Sequence, residues 1–238
     1  MAEFVSAGRT VPAGNGWNWI VQGWEIFKRQ PGIWIALLVI YFVIVVVLAF
    51  IPVLGSLANI ALGPVFTAGM LLGCRALEQG GELKVGHLFE GFRERFGVLV
   101  KVGLLYLAAN VVIALAAGLT MGASVFRLMS GDADIGEVIG AAMGLLLAAL
   151  IALALMLPVL MAIWFAPPLV VFNQLGAIDA LKASFAACLK NFVPFLVYGL
   201  ILLGMAIVAS IPFGLGWLVL GPVLVASLYT AYRDIFFS

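Results

Sequence analysis

Charged side chains are scarce in this sequence. Only 10% of its 238 residues are Asp, Glu, Lys or Arg, whereas 65% are hydrophobic. A soluble domain carries about 25% charged residues, so this chain has too few of them to cover a surface that faces water. The scarcity argues against an ordinary soluble domain and favours a protein that lies within a membrane.

Residue types that support catalysis or metal binding are also rare. The chain has one histidine, His87, and two cysteines, Cys74 and Cys188. Hydrolysis and group transfer need a nucleophile with a base, paired carboxylates or a metal cluster, and His87 alone supplies none of these. We therefore expect no enzymatic activity, no cofactor and no bound metal, and we expect both cysteines to be free thiols.

Long apolar runs are what the sequence has in quantity. About 20 apolar residues in a helix cross the hydrocarbon core of a bilayer, and helices satisfy their own backbone hydrogen bonds there. We predict six transmembrane helices, at about 33–51, 56–74, 97–118, 138–163, 193–211 and 215–232. The short interruptions at 52–55 and 212–214 predict tight hairpins.

The same pattern occurs three times along the chain. An amphipathic segment leads into an apolar run, a turn, and a second apolar run that contains Pro64, Pro158 or Pro222, each followed by valine. Such repeats decide the architecture. We predict an all-α integral membrane protein whose six transmembrane helices form three repeated helical hairpins, each preceded by an amphipathic interfacial helix. It would be a single polytopic domain over 1–238, with repeat units of about 15–77, 84–170 and 177–236.

The three amphipathic segments have apolar residues at helical spacing. These are Trp17, Ile20, Trp24 and Phe27 in the first, Val85, Phe89, Phe92 and Phe96 in the second, and Ile178, Leu181, Phe185 and Cys188 in the third. Such helices lie in the plane of the membrane interface. They either orient the hairpins or form a cytoplasmic collar that contacts lipid or a partner protein.

The basic residues predict the orientation. With six spans, all of the 12 lysines and arginines except Arg127 fall on one side of the membrane. Lysine and arginine accumulate on the cytoplasmic side, so both termini are predicted to be cytoplasmic. No dense basic cluster occurs, so nucleic-acid binding is not expected.

Four basic residues stand at repeat-related positions near the ends of the spans: Lys28, Arg75, Lys190 and Arg233. Their simplest role is to satisfy the positive-inside rule and the helix dipoles. They also allow a shared site for lipid phosphate, which we state as a hypothesis. The partner would then be a phospholipid, with a membrane protein as a further possible partner.

Polar residues within the spans are few. Asn110, Lys101 and Tyr106 lie along the third span, where an amide in lipid is costly, so Asn110 is expected to face another helix. The three residues either hold helices together or line a polar path. Outside the membrane, Asp132, Asp134 and Glu137 form either a cation site or, as we favour, a helix cap.

Pairs of glycines four residues apart allow close helix packing. They occur at Gly69 and Gly73, Gly118 and Gly122, and Gly140 and Gly144. Such faces serve packing within the chain or between two chains, so the oligomeric state stays open.

Several strings resemble an uncharacterised family of six-helix inner-membrane proteins of beta- and gamma-proteobacteria. They are Val11-Pro12-Ala13-Gly14, Gly23-Trp24, Leu72-Gly73-Cys74-Arg75-Ala76-Leu77, Leu88-Phe89-Glu90-Gly91-Phe92-Arg93, Trp164-Phe165-Ala166-Pro167, Ser227-Leu228-Tyr229 and Tyr232-Arg233-Asp234. More loosely, the chain is similar to YciC-type proteins and to the membrane domain attached to some glycerophosphodiester phosphodiesterases. The resemblance implies a bacterial inner membrane and brings no activity or ligand.

The function that these patterns favour is non-enzymatic. We expect an inner-membrane protein that binds lipid or a membrane partner, in envelope maintenance or assembly. The alternatives are a transporter or channel component for a small or amphipathic solute and, with less support, an accessory subunit of a larger complex.

Overall fold

The fold is all-helical over the part of the chain that the computed structural model describes, residues 3–129 and 135–238. The described α-helices are α1 Asn15–Arg29, α2 Pro31–Ala49, α3 Leu54–Glu78, α4 Phe96–Met129, α5 Ile135–Trp164, α6 Ala166–Asn173, α7 Ala177–Lys190, α8 Phe192–Ser210 and α9 Trp217–Phe236, and a 3₁₀ helix covers Val85–Phe92. The prediction of an all-α protein is confirmed for these residues.

Six helical stretches are long and apolar enough to cross a membrane, as the sequence predicted. They are Pro31–Ala49, Leu54–Glu78, Phe96–Leu119, Val138–Asn173, Phe192–Ser210 and Trp217–Phe236. The fourth is longer than the predicted 138–163 because α6 continues it after α5. Pro167 and Pro168 lie in the first turn of α6, where proline is tolerated because the N–H groups have no partner within the helix.

The chain forms two compact units. The first contains Met1–Leu104 and Met161–Ser238, and the second is Leu105–Leu160. The second unit consists of parts of α4 and α5, and most of its described large apolar side chains are exposed, as in Leu115, Leu146 and Leu153. This pattern suits helices that face lipid. The predicted single domain and its repeat boundaries stay a prediction.

Helix α1 packs against α8 and α9 within the first unit. Two of its glycines allow the contact, because a Cβ on Gly16 would lie 2.4 Å from the carbonyl oxygen of Pro194, and one on Gly23 would lie 2.7 Å from the backbone nitrogen of Ser227. Trp19 is fully buried beside them. The close approach of backbones therefore depends on glycine at both positions.

The surface of α1 has three faces rather than the two that its amphipathic pattern predicted. One face is buried and includes Trp19, Gly23 and Ile26. A second is apolar and exposed, with Trp17 and Trp24 about 51% and 41% exposed. The third carries the polar side chains, Asn15, Asn18, Gln22 and Glu25. The sequence pattern had grouped Trp17, Ile20, Trp24 and Phe27 on one apolar face. In the structure Ile20 and Phe27 are buried, whereas both tryptophans are exposed.

The 3₁₀ helix packs closely against α3 within the chain. A Cβ on Gly69 would lie 2.4 Å from the carbonyl oxygen of His87, and one on Gly91 would lie 2.0 Å from that of Val65. The Gly69 and Gly73 pair therefore serves packing within the chain. Gly118, Gly122 and Gly140 have no described atom within 4 Å of a built Cβ.

The N-terminal segment is attached to the end of α9. Val5 N donates to Phe236 O at 2.9 Å, Arg9 N donates to Ile235 O at 2.8 Å, and Phe4 forms an isolated antiparallel bridge with Phe237. The two ends of the described chain are thus joined by backbone hydrogen bonds.

Candidate functional site

Two of the four predicted phosphate-binding residues, Arg75 and Arg233, lie in one cluster with aromatic side chains. The Arg75 guanidinium is 5.4 Å from the ring centre of Phe172, and that ring is 5.9 Å from Tyr229 and 5.5 Å from Tyr232. Arg233 donates a long hydrogen bond, 3.5 Å, to the Tyr229 hydroxyl. We call these five residues the arginine–tyrosine cluster. Contacts of cations with ring faces contribute about 0.5–1 kcal/mol each at exposed sites, and they fix the direction of the guanidinium.

The two arginines differ in their charge partners. Arg233 pairs with Glu78, which also accepts a hydrogen bond from the Tyr229 hydroxyl at 2.6 Å. Arg75 is exposed and takes part in none of the salt bridges formed among the described residues. A guanidinium offers a planar fork of donors that matches a phosphate. Arg75 is therefore the arginine of the cluster whose charge is not paired with a carboxylate in these salt bridges, and it can bind an anion.

A polar cleft of about 360 Å³ adjoins the cluster. Its walls come from α1, α3, α9 and the segment after α9, namely Asn15, Asn18, Gln22, Glu78, Thr230, Arg233, Asp234, Phe237 and Ser238. The polar face of α1 thus lines this cleft. Its size suits a small polar group, and its amide and hydroxyl groups can both donate and accept hydrogen bonds.

Asp234 holds one wall of the cleft in place. Its carboxylate accepts hydrogen bonds from Arg9 Nη2 at 2.8 Å, Asn15 Nδ2 at 2.7 Å and Trp19 Nε1 at 2.8 Å. These three bonds tie α9 to α1 and to the N-terminal segment. With its oxygens occupied in this way, Asp234 has a structural role.

The two lysines of the hypothesis contact other groups. Lys28 forms an ion pair with Glu25, one turn earlier on α1, at 2.8 Å. The Lys190 ammonium donates to the carbonyl oxygens of Ala7 and Gly8 at 3.1 and 3.2 Å. Lys190 therefore holds the N-terminal segment, and the structure brings only the arginines together in one cluster.

The polar residues of the third predicted span lie on α4. Asn110 Nδ2 donates to the backbone oxygen of Tyr106 at 2.8 Å, so one amide hydrogen is bonded within its own helix. The expectation that Asn110 faces another helix stays a prediction. Both residues belong to the second unit, and Lys101 is exposed in the first unit. A role of these three residues in a polar path stays a prediction.

Other predicted features contribute little to a site. Asp132 and Asp134 lie outside the described residues, as does the side chain of Glu137, so the predicted helix cap stays a prediction. Over the described part of the chain, no three His, Cys, Asp or Glu side chains form a group that could hold a metal ion. His87 accepts a hydrogen bond from Lys84 N at 2.8 Å, which caps the 3₁₀ helix.

Sequence reasoning missed Phe172, Tyr229 and Tyr232 as members of the cluster, and Glu78 as the partner of Arg233. Glu78 follows Arg75 by three residues and Tyr229 precedes Arg233 by four, so each pair shares one helix face. That spacing is a signal that a search for polar residues on a common face would have found. The contact of Phe172 with Arg75 depends on α6, which lies beyond the predicted end of the fourth span at residue 163.

Both cysteines are expected to resist modification in the folded protein. Cys74 and Cys188 are free and buried, and burial raises the pKa of the Cys188 thiol to about 12. Since the thiolate is the reactive form, N-ethylmaleimide should label neither residue in mild detergent and both in sodium dodecyl sulfate. Rapid labelling of either residue in the native protein would contradict the packing of α3 or α7.

A family model described as "Domain of unknown function (DUF7847)" matches residues 18–232. The chain belongs to this family. It is also 31% identical over 212 residues to a probable inner membrane protein of Burkholderia thailandensis, a match that covers 86% of this chain and 77% of that protein. No solved structure matches the chain.

The comparisons and the helices agree on the class of protein. The chain belongs to the DUF7847 family, and its relative is described as a probable inner membrane protein. Six of its helical stretches are apolar enough to cross a bilayer. The protein is therefore a multi-pass inner-membrane protein. The expectation of an uncharacterised membrane family is confirmed.

Proposed function

We propose that the protein is a non-enzymatic inner-membrane protein that binds phospholipid at the arginine–tyrosine cluster, in envelope maintenance or assembly. The observation that supports it most directly is Arg75, an exposed guanidinium over the Phe172 ring that takes part in no salt bridge among the described residues. Phosphate is the anion of phospholipids, and arginine binds it with charge-assisted hydrogen bonds.

The location of the cluster supports a lipid as the source of the phosphate. Arg75 and Arg233 lie in the last turns of two helices that can span a bilayer. The ends of such helices lie at the level of the lipid head groups. We propose that this level is the cytoplasmic one, as the distribution of lysine and arginine predicts, and that both termini are cytoplasmic.

Exposed apolar side chains support the proposal that the segments before the hairpins lie in the membrane interface. On α1 the exposed apolar face contains Trp17, Val21 and Trp24, beside a polar face. On the 3₁₀ helix Val85, Phe89 and Phe92 are all exposed. Tryptophan and other aromatic rings favour the boundary between hydrocarbon and head groups. We also propose that the transmembrane helices form repeated hairpins, each preceded by an interfacial helix, and that the chain is loosely similar to YciC-type proteins.

Removing the positive charge of Arg75 is expected to weaken lipid binding. Hydrogen bonds to charged groups contribute about 1.5–3 kcal/mol, so Arg75→Gln should lower the affinity for phosphatidylglycerol about tenfold or more. Native mass spectrometry of gently extracted protein would count the retained lipids, and titration with phosphatidylglycerol would give the affinity. Arg75→Lys, which keeps the charge but not the fork, should have an intermediate effect.

Lys182→Gln provides the matched control, because Lys182 is an exposed cation on α7 and its loss changes the net charge equally. It should leave lipid retention unchanged. Equal losses in Arg75→Gln and Lys182→Gln would show a general charge effect and contradict a site at the cluster. A wild-type protein that retains no lipid would contradict the proposed function, and stoichiometric recovery of another chain would favour a protein partner.

A further inference from the structure

A groove of about 610 Å³ lies on the first unit, against two helices that can span the membrane. Residues of α8 and α9 form its walls, among them Leu200, Gly204, Val208 and Val219, and Trp24 of α1 contributes to its lining. Every residue that lines the groove is apolar or glycine. Because water needs polar partners to occupy a cavity, such a groove in a bilayer is filled by something apolar.

Two contacts hold α8 and α9 together, and the groove lies between them. Near the start of α8, the Tyr198 hydroxyl is 2.7 Å from the Ser227 hydroxyl in a buried hydrogen bond. At the other end of the pair, a Cβ on Gly216 would lie 2.5 Å from the Cα of Ala209. A Cβ on Gly204, between these points, would have no atom within 4 Å. The helices are thus fixed at two levels and leave open space between them.

The dimensions of the groove favour a single hydrocarbon chain over a helix. Its residues on α8 extend from Leu200 to Ala209, a length of about 14 Å at a rise of about 1.5 Å per residue. A helix about 10 Å in diameter has a volume of about 1,100 Å³ over that length, which exceeds the volume of the groove. An acyl chain is narrower and carries no backbone polar groups.

The residues at the α1 side of the groove suit the polar end of the same molecule. Trp24 is about 41% exposed on the apolar face of α1. Lys28 follows it by one helical turn, with an exposed ammonium beside Glu25. Tryptophan lies at the level of the lipid head groups, and a lysine at this level can reach a lipid phosphate.

We infer that the groove between α8 and α9 binds one acyl chain of a phospholipid, with Trp24 and Lys28 at the level of its head group. The inference rests on the proposed function, since it also requires bound phospholipid, but it assigns the chain to residues distinct from the arginine–tyrosine cluster. It gives the protein a site that recognises the hydrocarbon part of a lipid.

Filling the groove tests the inference. Gly204→Leu places a side chain in the open space of the groove. Gly199→Leu is the control. Gly199 lies on the same helix and also has no atom within 4 Å of a built Cβ, but it does not line the groove. The probe is phosphatidylethanolamine with a diazirine in one acyl chain, in vesicles of phosphatidylethanolamine and phosphatidylglycerol. Peptide mass spectrometry would compare labelling of groove residues Ile201 and Met205 with that of exposed residues Leu196 and Leu203.

In the wild-type protein, we expect the groove residues to be labelled preferentially. Gly204→Leu should lower this labelling about tenfold, because the added side chain replaces acyl-chain contacts comparable to those of one buried leucine. Gly199→Leu should leave the labelling unchanged, and neither variant should alter labelling at Leu196. Equal labelling of both sets of residues, insensitive to Gly204→Leu, would overturn the inference. Protection of the groove by a co-purified polypeptide would overturn it as well.

The two lipid claims can be separated in the same preparations. If Arg75→Gln lowers lipid retention while groove labelling does not respond to Gly204→Leu, the acyl-chain site is overturned and the proposed function stands. If groove labelling depends on Gly204 while Arg75→Gln changes nothing, the acyl-chain site is supported and the cluster is overturned as the head-group site.

Discussion

Replacing Gly23 with alanine is expected to destabilise the protein by about 1–3 kcal/mol, the usual cost of forcing a methyl group into a packed core. The added Cβ would lie 2.7 Å from the backbone nitrogen of Ser227 and 3.0 Å from the carbonyl oxygen of Val223. These are backbone atoms of α9, so no side chain can rotate away. Helix α1 would have to move from α9, and the buried Trp19 would move with it.

Gly32→Ala is the control for this prediction. Gly32 lies in the first turn of α2 and has no atom within 4 Å of a built Cβ. There alanine should be neutral or stabilising by up to about 1 kcal/mol, because it restricts the unfolded chain and favours helix. Thermal unfolding of both variants in mild detergent, followed by circular dichroism, would compare them. A Gly23→Ala protein as stable as the Gly32→Ala protein would contradict the close packing of α1 on α9.

Replacing Asp234 with alanine is expected to have a similarly large effect. The change removes the acceptor of three hydrogen bonds, from Arg9, Asn15 and Trp19. Trp19 is fully buried, so its indole N–H would lose its hydrogen-bond partner within the protein. An unsatisfied buried donor costs about 1–3 kcal/mol, and the N-terminal segment would lose its ion pair in addition.

Asp234→Asn should recover part of the lost stability, because the amide oxygen can still accept the hydrogen bond from Trp19. Glu82→Ala, at an exposed carboxylate, should change the stability by less than about 0.5 kcal/mol, as most surface substitutions do. Urea or thermal unfolding of the three variants would check the order. Equal stability of Asp234→Ala and Glu82→Ala would show that Asp234 does not hold α1 to α9.

Much of the fold could be predicted from the sequence, because apolar length alone identifies helices that cross a bilayer. The six spans were found in this way, whereas the fourth was predicted to end at residue 163, before the two prolines at the start of α6. The faces of α1 were harder. Helical spacing groups Trp17 with Ile20, but only the tertiary contacts of Gly16 and Gly23 determine which side is buried.

The candidate site could be predicted only in part. Position near the ends of the spans pointed to Arg75 and Arg233, and the structure places both in one cluster. Sequence could not show that Glu78 pairs with Arg233, because the two residues are 155 positions apart. It also could not show that Lys190 donates to the carbonyl oxygens of Ala7 and Gly8, since backbone acceptors leave no pattern in a sequence.

The position of α1 has a consequence for the order of assembly during synthesis. Helix α1 leaves the ribosome before α8 and α9, the two helices that cover its buried face. Until α9 is inserted, Trp19 has no Asp234 to bind and the buried face of α1 needs another cover, which the membrane surface itself can provide. The core around α1 can therefore be completed only after α9 is inserted, so a chain truncated before α9 would have the earlier helices and still lack this core.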